Sequence, residues 1–403
     1  MSSPPSRRAS RRGRLLALLV STALALLVGE LALRVAGVSH PNFYGPDSER
    51  GWGLIPGAHG WWRSEGNAYV EVNRDGFRGP QRTAGKAPDA LRIAVLGDSC
   101  AEAIQVPYEQ TFAARLEAEL AQCPAVGARR VEVLDLGVSG YGTAQELLTW
   151  RTQARRFAPD LVLLAFYSGN DVRNNSRILD ADPARPYFEM HGDRLEVDAS
   201  FRDTEGFRLR SSWPAQWLYA AFNHVRLLQL AKNAQGAIKT AIGTARARRN
   251  ETGAALQELG LDNAVYSEPA TPEWRDAWAM TERLFGALRD ESASAGARFA
   301  IVSLTTPMQV NPDPAARAAF AAKLGVSDLF YPDDRVVRWG AQGGVPVLAL
   351  ARELQAYAQA SGRQLHGFAN TKLGEGHWNE AGHAAATERL APWACGLLSA
   401  PPR

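Results

Sequence analysis

Leu91-Arg92-Ile93-Ala94-Val95-Leu96-Gly97-Asp98-Ser99-Cys100 is the stretch that decides the fold. Leu91, Ile93, Ala94, Val95 and Leu96 make a short apolar run that reads as a buried strand. Gly97 to Cys100 break it, and a helical pattern through Phe112, Leu116 and Leu120 follows a few residues later. A small turn from a buried parallel strand into a helix puts Ser99 at the carboxyl end of a sheet, where open α/β sheets bind their ligands. Alone, the same turn reads equally well as an ordinary connection whose serine caps a helix. The rest of the chain has to supply partners for that hydroxyl.

Working outward, the same rhythm repeats. Val131 to Leu136 reads as a strand, followed by Gly137, Gly140 and Gly142 and a helix beginning near Thr143. Leu161 to Phe166 is a third apolar strand and ends in Ser168-Gly169-Asn170-Asp171. After residue 270 a helix is expected from Pro272 to Ala295, then strands Phe299 to Leu304 and Val345 to Leu348 and a helix Ala349 to Ala360. Next come His366-Gly367-Phe368, the loop Glu375-Gly376-His377-Trp378-Asn379-Glu380 and a last helix through Leu390. Buried strands alternating with helices imply an α/β fold of three layers, α/β/α, around a central parallel sheet.

Residues 175–270 lose this rhythm. Trp213, Trp217, Leu218, Phe222, Val225, Leu227 and Leu230 suggest one or two amphipathic helices, and Arg246, Arg248 and Arg249 a basic loop. The stretch reads as a helical insertion over the carboxyl edge of the sheet, with a separately folded domain as the alternative. Residues 38–90 are rich in Gly, Pro and Trp and read as a β and loop linker packed on the core. Within it Trp52, Trp61 and Trp62 serve packing or, alternatively, stack on a glycan.

The amino terminus carries Arg7, Arg8, Arg11, Arg12 and Arg14 and no acid, and Leu15 to Leu33 is apolar apart from Ser21, Thr22, Gly29 and Glu30. No small-x-small site leads into a polar mature start, so the pattern favours a retained anchor over a cleaved signal peptide. Residues 1–14 are then a cytoplasmic arm, 15–37 a transmembrane anchor, and the bulk of the chain lies outside, periplasmic or extracytoplasmic. Glu30 and Arg34, four apart, can pair on one helical face. The arm supplies five positive charges against a formal net charge of +3, leaving the remainder about −2. The basic balance is therefore a topology signal and gives no warrant for a nucleic-acid partner.

Cys100, Cys123 and Cys395 suit neither a disulfide framework nor a zinc site, although a bridge between Cys123 and Cys395 stays open in an oxidising compartment. No phosphate loop, HExxH motif or basic-aromatic interleaving occurs. No cofactor and no metal are expected.

A serine hydroxyl needs a base to take its proton, a third group to hold that base, and donors for the developing oxyanion. Ser99, His377 and Glu375 fill the first three roles, and the backbone N–H groups of Ser99 and Gly140 with the side-chain amide of Asn170 fill the last. Asp98 is expected to hold the nucleophile loop by accepting hydrogen bonds. His366 and His383 read as structural, and Cys100 as a packed small residue.

In this arrangement the chain resembles the SGNH (GDSL-type) esterase and acylhydrolase family, in its membrane-anchored bacterial branch. Gly97-Asp98-Ser99 matches the family's first block, Asp135-Leu136-Gly137-Val138-Ser139-Gly140 its second, Gly169-Asn170-Asp171 its third and Glu375-Gly376-His377 its last. The resemblance implies a flavodoxin-like SGNH hydrolase domain over 91–395, with Ser99 as nucleophile and Ser99, Gly140 and Asn170 as the oxyanion hole. The family's orienting residue is normally an Asp three before the histidine, where this chain has Gly374. Glu375 then restores the contact from its shorter spacing, or a backbone carbonyl orients the ring instead.

The expected function is hydrolysis of acyl esters, O-acetyl esters of envelope or extracellular glycans first, through an acyl-enzyme. The alternatives are an O-acyltransferase using the same site and a non-catalytic glycan-binding or scaffold protein of the envelope. The expected partners are an acylated small molecule or glycan and the membrane.

Overall fold

The computed structural model describes residues 11–235 and 262–399. Arg7 and Arg8 of the basic arm and the expected loop at Arg246, Arg248 and Arg249 lie outside the described residues. The described residues divide into two bodies, one holding residues 43–212 and 262–399, the other residues 11–42 and 213–235.

The larger body is built on five parallel strands: β1 Ala90–Gly97, β2 Arg130–Asp135, β3 Leu161–Phe166, β4 Arg298–Ser303 and β5 Val347–Ala349. Their spatial order is 2-1-3-4-5. Every residue of β1 and β3 is buried, which is why both read as unbroken apolar runs rather than alternating ones. The expected strands match to within two residues at either end, within the usual fraying of element boundaries.

The order reverses between β1 and β3. Right-handed crossovers that leave β1 in opposite directions put their helices on opposite faces, so the sheet is covered on both sides. The reversal also opens a crevice at the carboxyl ends of β1, β2 and β3. Register keeps those ends level: Val95 pairs with Asp135 on one side and with Leu163 on the other. The turns after residues 97, 135 and 166 therefore come together at one edge.

Helix α2, Phe112–Leu120, follows β1, with Thr111 Oγ1 accepting from the Ala114 N–H at 3.2 Å as its cap. It packs against the last helix, α8, Glu380–Ser399. Helix α3, Thr143–Thr152, packs against α5, Pro272–Ser294, whose Trp278, Leu284, Phe285 and Leu288 are buried. Each such side chain contributes roughly 1.5–3 kcal/mol by leaving water. Two helices that lack a reading above, α6 Pro314–Leu324 and α7 Tyr331–Gly343, fill the span between β4 and β5. Cys123, just past α2, and Cys395, in α8, form a disulfide with a Cα separation of 5.8 Å.

Two hairpins, Tyr44–Asp47 with Gly51–Leu54 and His59–Trp62 with Ala68–Glu71, precede the sheet. They bury Phe43, Leu54, Val70 and Val72 against Ile104, Val138 and Tyr141. Trp52 meets Tyr141 edge-on at 5.7 Å, and Trp61 meets Tyr69 edge-on at 5.6 Å. Residues 175–212 include, besides short helices, a hairpin of Tyr187–His191 with Arg194–Asp198.

In the smaller body, α1 spans Arg11–Val35, 25 residues with none buried, and is long and apolar enough to cross a membrane. At 1.5 Å per residue it reaches about 37 Å, against a hydrocarbon core of about 30 Å. The Glu30–Arg34 pair forms at 2.8 Å. Glu30 also accepts from the N–H groups of Arg226 and Leu227, both at 3.1 Å, and so caps the helical residues 226–235. Arg34 donates to the carbonyl of His224, the last residue of α4, Trp213–His224. Both charges at the end of the apolar helix thus have hydrogen-bond partners.

Candidate active site

The turn after β1 is shaped by Asp98. Its Oδ1 accepts from the Cys100 N–H at 2.9 Å and its Oδ2 from Asn170 Nδ2 at 3.1 Å. Burial pushes the Asp98 carboxyl above its ordinary range, and these donors together with His377 pull against it. Asp98 thus ties the turn after β1 to the turn after β3. The Ser99 hydroxyl, 3.5 Å from Asp98 Oδ2, lies 2.8 Å from His377 Nε2.

His377 sits in the loop ahead of α8. Its Nδ1 is 2.6 Å from Glu65 Oε2, and its backbone N–H donates to Glu65 Oε1 at 2.8 Å. A carboxylate only accepts, so Nδ1 carries the proton and Nε2 is left to accept from the serine hydroxyl. Burial alone would depress the imidazole, but the hydrogen bond and charge of Glu65 outweigh it and raise its pKa above the ordinary value. Glu65 is held below the usual carboxylate range: burial pushes it up, and the bonds to His377 more than compensate.

The expected contact from Glu375 is absent. Glu375 is ion-paired with Lys372, and the carboxylate on the ring is Glu65. The backbone explains the exchange. Gly374 and Gly376 flank Glu375 with φ of 83° and 77°, a left-handed path that favours glycine. A Cβ on Gly376 would lie 2.2 Å from Glu65 Oε1, so the bare glycine makes room for the incoming carboxylate.

Glu65 belongs to the connection between His59–Trp62 and Ala68–Glu71, and Asn370 fastens that connection. Asn370 Nδ2 donates to the carbonyls of Arg63 and Gly66 at 3.0 and 2.8 Å, and its Oδ1 accepts from the Gly66 N–H at 3.0 Å. Behind His377, His366 Nδ1 donates to the Gly376 carbonyl at 2.7 Å. Its Nε2 accepts from the Thr305 hydroxyl at 3.2 Å, which in turn accepts from Trp378 Nε1 at 2.8 Å. Burial lowers the His366 pKa to about 4, which keeps this ring neutral.

The loop after β2 is fixed by a residue that the motifs do not single out. Buried Glu102 accepts from the Ser139 N–H at 2.6 Å, from the Ser139 hydroxyl, and from Tyr44 OH at 2.7 Å. Trp52 Nε1 donates to the Ser139 carbonyl at 3.0 Å. Gly140 follows with φ of 78°. Ser99, Gly140, Asn170, His377 and Glu65 all line one cleft of about 460 Å³. Such a chain can pass a proton from hydroxyl to imidazole while its carboxylate steadies the charge on the ring.

The remaining candidates serve structure. His383 Nδ1 accepts from the Phe112 N–H at 3.3 Å, the ring stacks on Phe112, and burial drops its pKa to about 3. Cys100 is buried, and burial raises its thiol pKa well above the usual value, which makes it inert. Among the described residues, no three His, Cys, Asp or Glu side chains are grouped to hold a metal ion.

The chain matches no family model and no curated protein. Among solved structures it is similar to an acetyl xylan esterase at 8% identity, covering 75% of this chain and 98% of that one with a TM-score of 0.38. A carbohydrate acetylesterase from Sinorhizobium meliloti is similar at 10% identity, covering 76% and 99%, TM-score 0.35. A GDSL-like lipase from Bacteroides thetaiotaomicron is similar at 11% identity, covering 76% and 88%, TM-score 0.31. Likeness at this level carries no argument about activity, so the functional reading stands on the site itself.

Proposed function

We propose that the protein is a serine hydrolase of acyl esters, of the SGNH kind, working through an acyl-enzyme. The observation that carries this reading is the unbroken chain from Ser99 through His377 to Glu65. His377 takes the proton of Ser99 as its oxygen attacks the ester carbonyl. Glu65 holds the Nδ1–H tautomer and stabilises the imidazolium. The N–H groups of Ser99 and Gly140 and the amide of Asn170 receive the oxyanion, and Asp98 sets the angle of that amide. His377 then protonates the leaving alcohol, and water activated by the same ring releases the acid.

With α1 as a membrane anchor, the hydrolase body lies outside the cytoplasm, and O-acetyl esters of envelope or extracellular glycans are the first substrates to try. The disulfide supports an oxidising location for this body.

The test is covalent labelling with a fluorophosphonate, paired with rates on acetyl, butyryl and octanoyl chromogenic esters. Labelling of the wild type but not of Ser99→Ala is expected. A wild type that takes no label and turns over no ester ends the hydrolase reading.

A further inference from the structure

Two arginines in the cleft, Arg173 and Arg185, share one carboxylate, Asp180, which leaves a net positive charge there. Three carboxylates line the cleft, and each already has a partner: Glu65 on His377, Glu375 on Lys372, and Asp180 on Arg185 at 2.6 Å. Arg185 is also committed, since it reaches Gln145 Oε1 and lies over the Trp52 ring at 5.1 Å. Arg173 differs. It lies three residues after Asn170, on the same side of the short helix Asp171–Asn174 that carries the oxyanion amide.

The carboxylate nearest to Arg173 among the described residues is Asp180, whose Oδ1 is 3.9 Å from Arg173 Nε, beyond hydrogen-bond range. Arg173 Nε is itself buried and has no hydrogen-bond partner among the described residues. The side chain as a whole is 30% exposed toward the cleft. The exposed part of the guanidinium lines the cleft, where an anionic oxygen would gain a charge-assisted hydrogen bond and a closer counter-charge than Asp180 supplies. Arginine's planar fork suits carboxylate and phosphate alike.

We propose that Arg173 is an anion subsite, and that the substrates are acyl esters carrying a carboxylate or phosphate beside the ester. This rests on the hydrolase reading of Ser99 and His377. The reacting ester sits at Asn170, and the negative group is received one helical turn away.

The experiment compares full-length protein in lipid nanodiscs on three sugars: an O-acetylated galacturonate oligosaccharide, an O-acetylated hexose 6-phosphate and neutral O-acetylated galactose. Wild-type kcat/KM is expected to favour one anionic sugar by on the order of 10–100-fold, the worth of a charge-assisted hydrogen bond. Which sugar is favoured separates carboxylate from phosphate. Arg173→Gln is expected to bring that ratio toward one through KM, and Arg173→Lys to keep part of it. Melting temperatures check that both variants fold.

Equal kcat/KM on all three sugars, or a preference that survives Arg173→Gln, overturns the proposal. Calorimetric titration of the same sugars into Ser99→Ala, with and without Arg173→Gln, reads the subsite without the reaction. Anion-selective binding that needs Arg173 in a protein that hydrolyses nothing would keep the subsite and retire the hydrolase. Hydrolysis without anion selectivity would do the reverse.

Discussion

Glu65 and His377 lie 312 positions apart, and one carboxylate takes hold of the other residue twice, at the backbone N–H and at the ring Nδ1–H. The double grip fixes both where the loop runs and which way the imidazole faces. Glu65→Gln keeps the size and removes the charge. We expect kcat to fall by on the order of 10²–10⁴-fold, the usual range for a mis-oriented catalytic histidine. In the proposed mechanism the neutral ring accepts the proton, so activity should be lost as pH drops through the raised His377 pKa, and removing Glu65 should move that acid limb to lower pH. A kcat/KM profile against pH reads both effects. Glu375→Gln, which breaks only an exposed bond to Lys372, should leave the rate within about twofold.

Gly376→Ala changes no functional group, yet it should reproduce much of the Glu65 defect. Its methyl would stand 2.2 Å from Glu65 Oε1, on a backbone with φ of 77° that an L-residue rarely adopts. Turnover is expected to fall at least about tenfold, by analogy with small misplacements of reacting groups. Unchanged turnover in a folded Gly376→Ala protein would mean that the carboxylate does not need its present seat.

Asn170→Ala removes the side-chain donor that the proposed mechanism assigns to the oxyanion. The expected loss is about 2.7–4 kcal/mol of transition-state stabilisation, or on the order of 10²–10³ in kcat, with KM little changed. The same change takes a donor from buried Asp98, so the melting temperature has to be recorded beside the rates.

Asp135, at the end of β2, is fully buried, and that burial raises its pKa to about 7 despite Arg78 and the Gly137 N–H. In an unfolded chain it titrates near 3.9. The raised value makes its contribution fully present below pH ~3.9 and progressively lost as pH rises through about 7. Asp135→Asn should therefore stabilise the protein at pH 8, by about 2–4 kcal/mol at roughly 1.4 kcal/mol per pKa unit, and not at pH 4. Urea midpoints at the two pH values make the comparison.

The Cys123–Cys395 bond closes a 272-residue separation. Cys123→Ser with Cys395→Ser is expected to cost about 2–5 kcal/mol of stability. Urea unfolding measures the cost, and mass spectrometry without reductant checks the bond in the native protein. Finding both thiols free in protein isolated from its own compartment would contradict an oxidising location.

The sheet was readable because its strands are buried on both faces. Runs such as Leu161–Phe166 leave no other use for six consecutive apolar residues. The turns at Ser99, Gly140 and Asn170 were readable because parallel strands that start level end level. Glu65 was not. Its only local mark is an acid beside a glycine in a turn, Ser64-Glu65-Gly66, and nothing in its surroundings points across the chain to His377. Glu375 is the acid nearest His377 in sequence, and two left-handed glycines undo that nearness. Glu102 and Asn370 carry no sequence mark for a related reason. Their work is to hold other loops in place, and this shows only once those loops are side by side.

Because the carboxylate arrives from a hairpin that precedes β1, the proposed reactive centre has no self-sufficient core. A version trimmed to begin at residue 90 would keep the serine, the imidazole and every short motif while lacking the acid. Its inactivity would then be misread as evidence about the motifs. On the proposed mechanism, the stretch that follows the apolar amino-terminal helix is thus part of the catalyst.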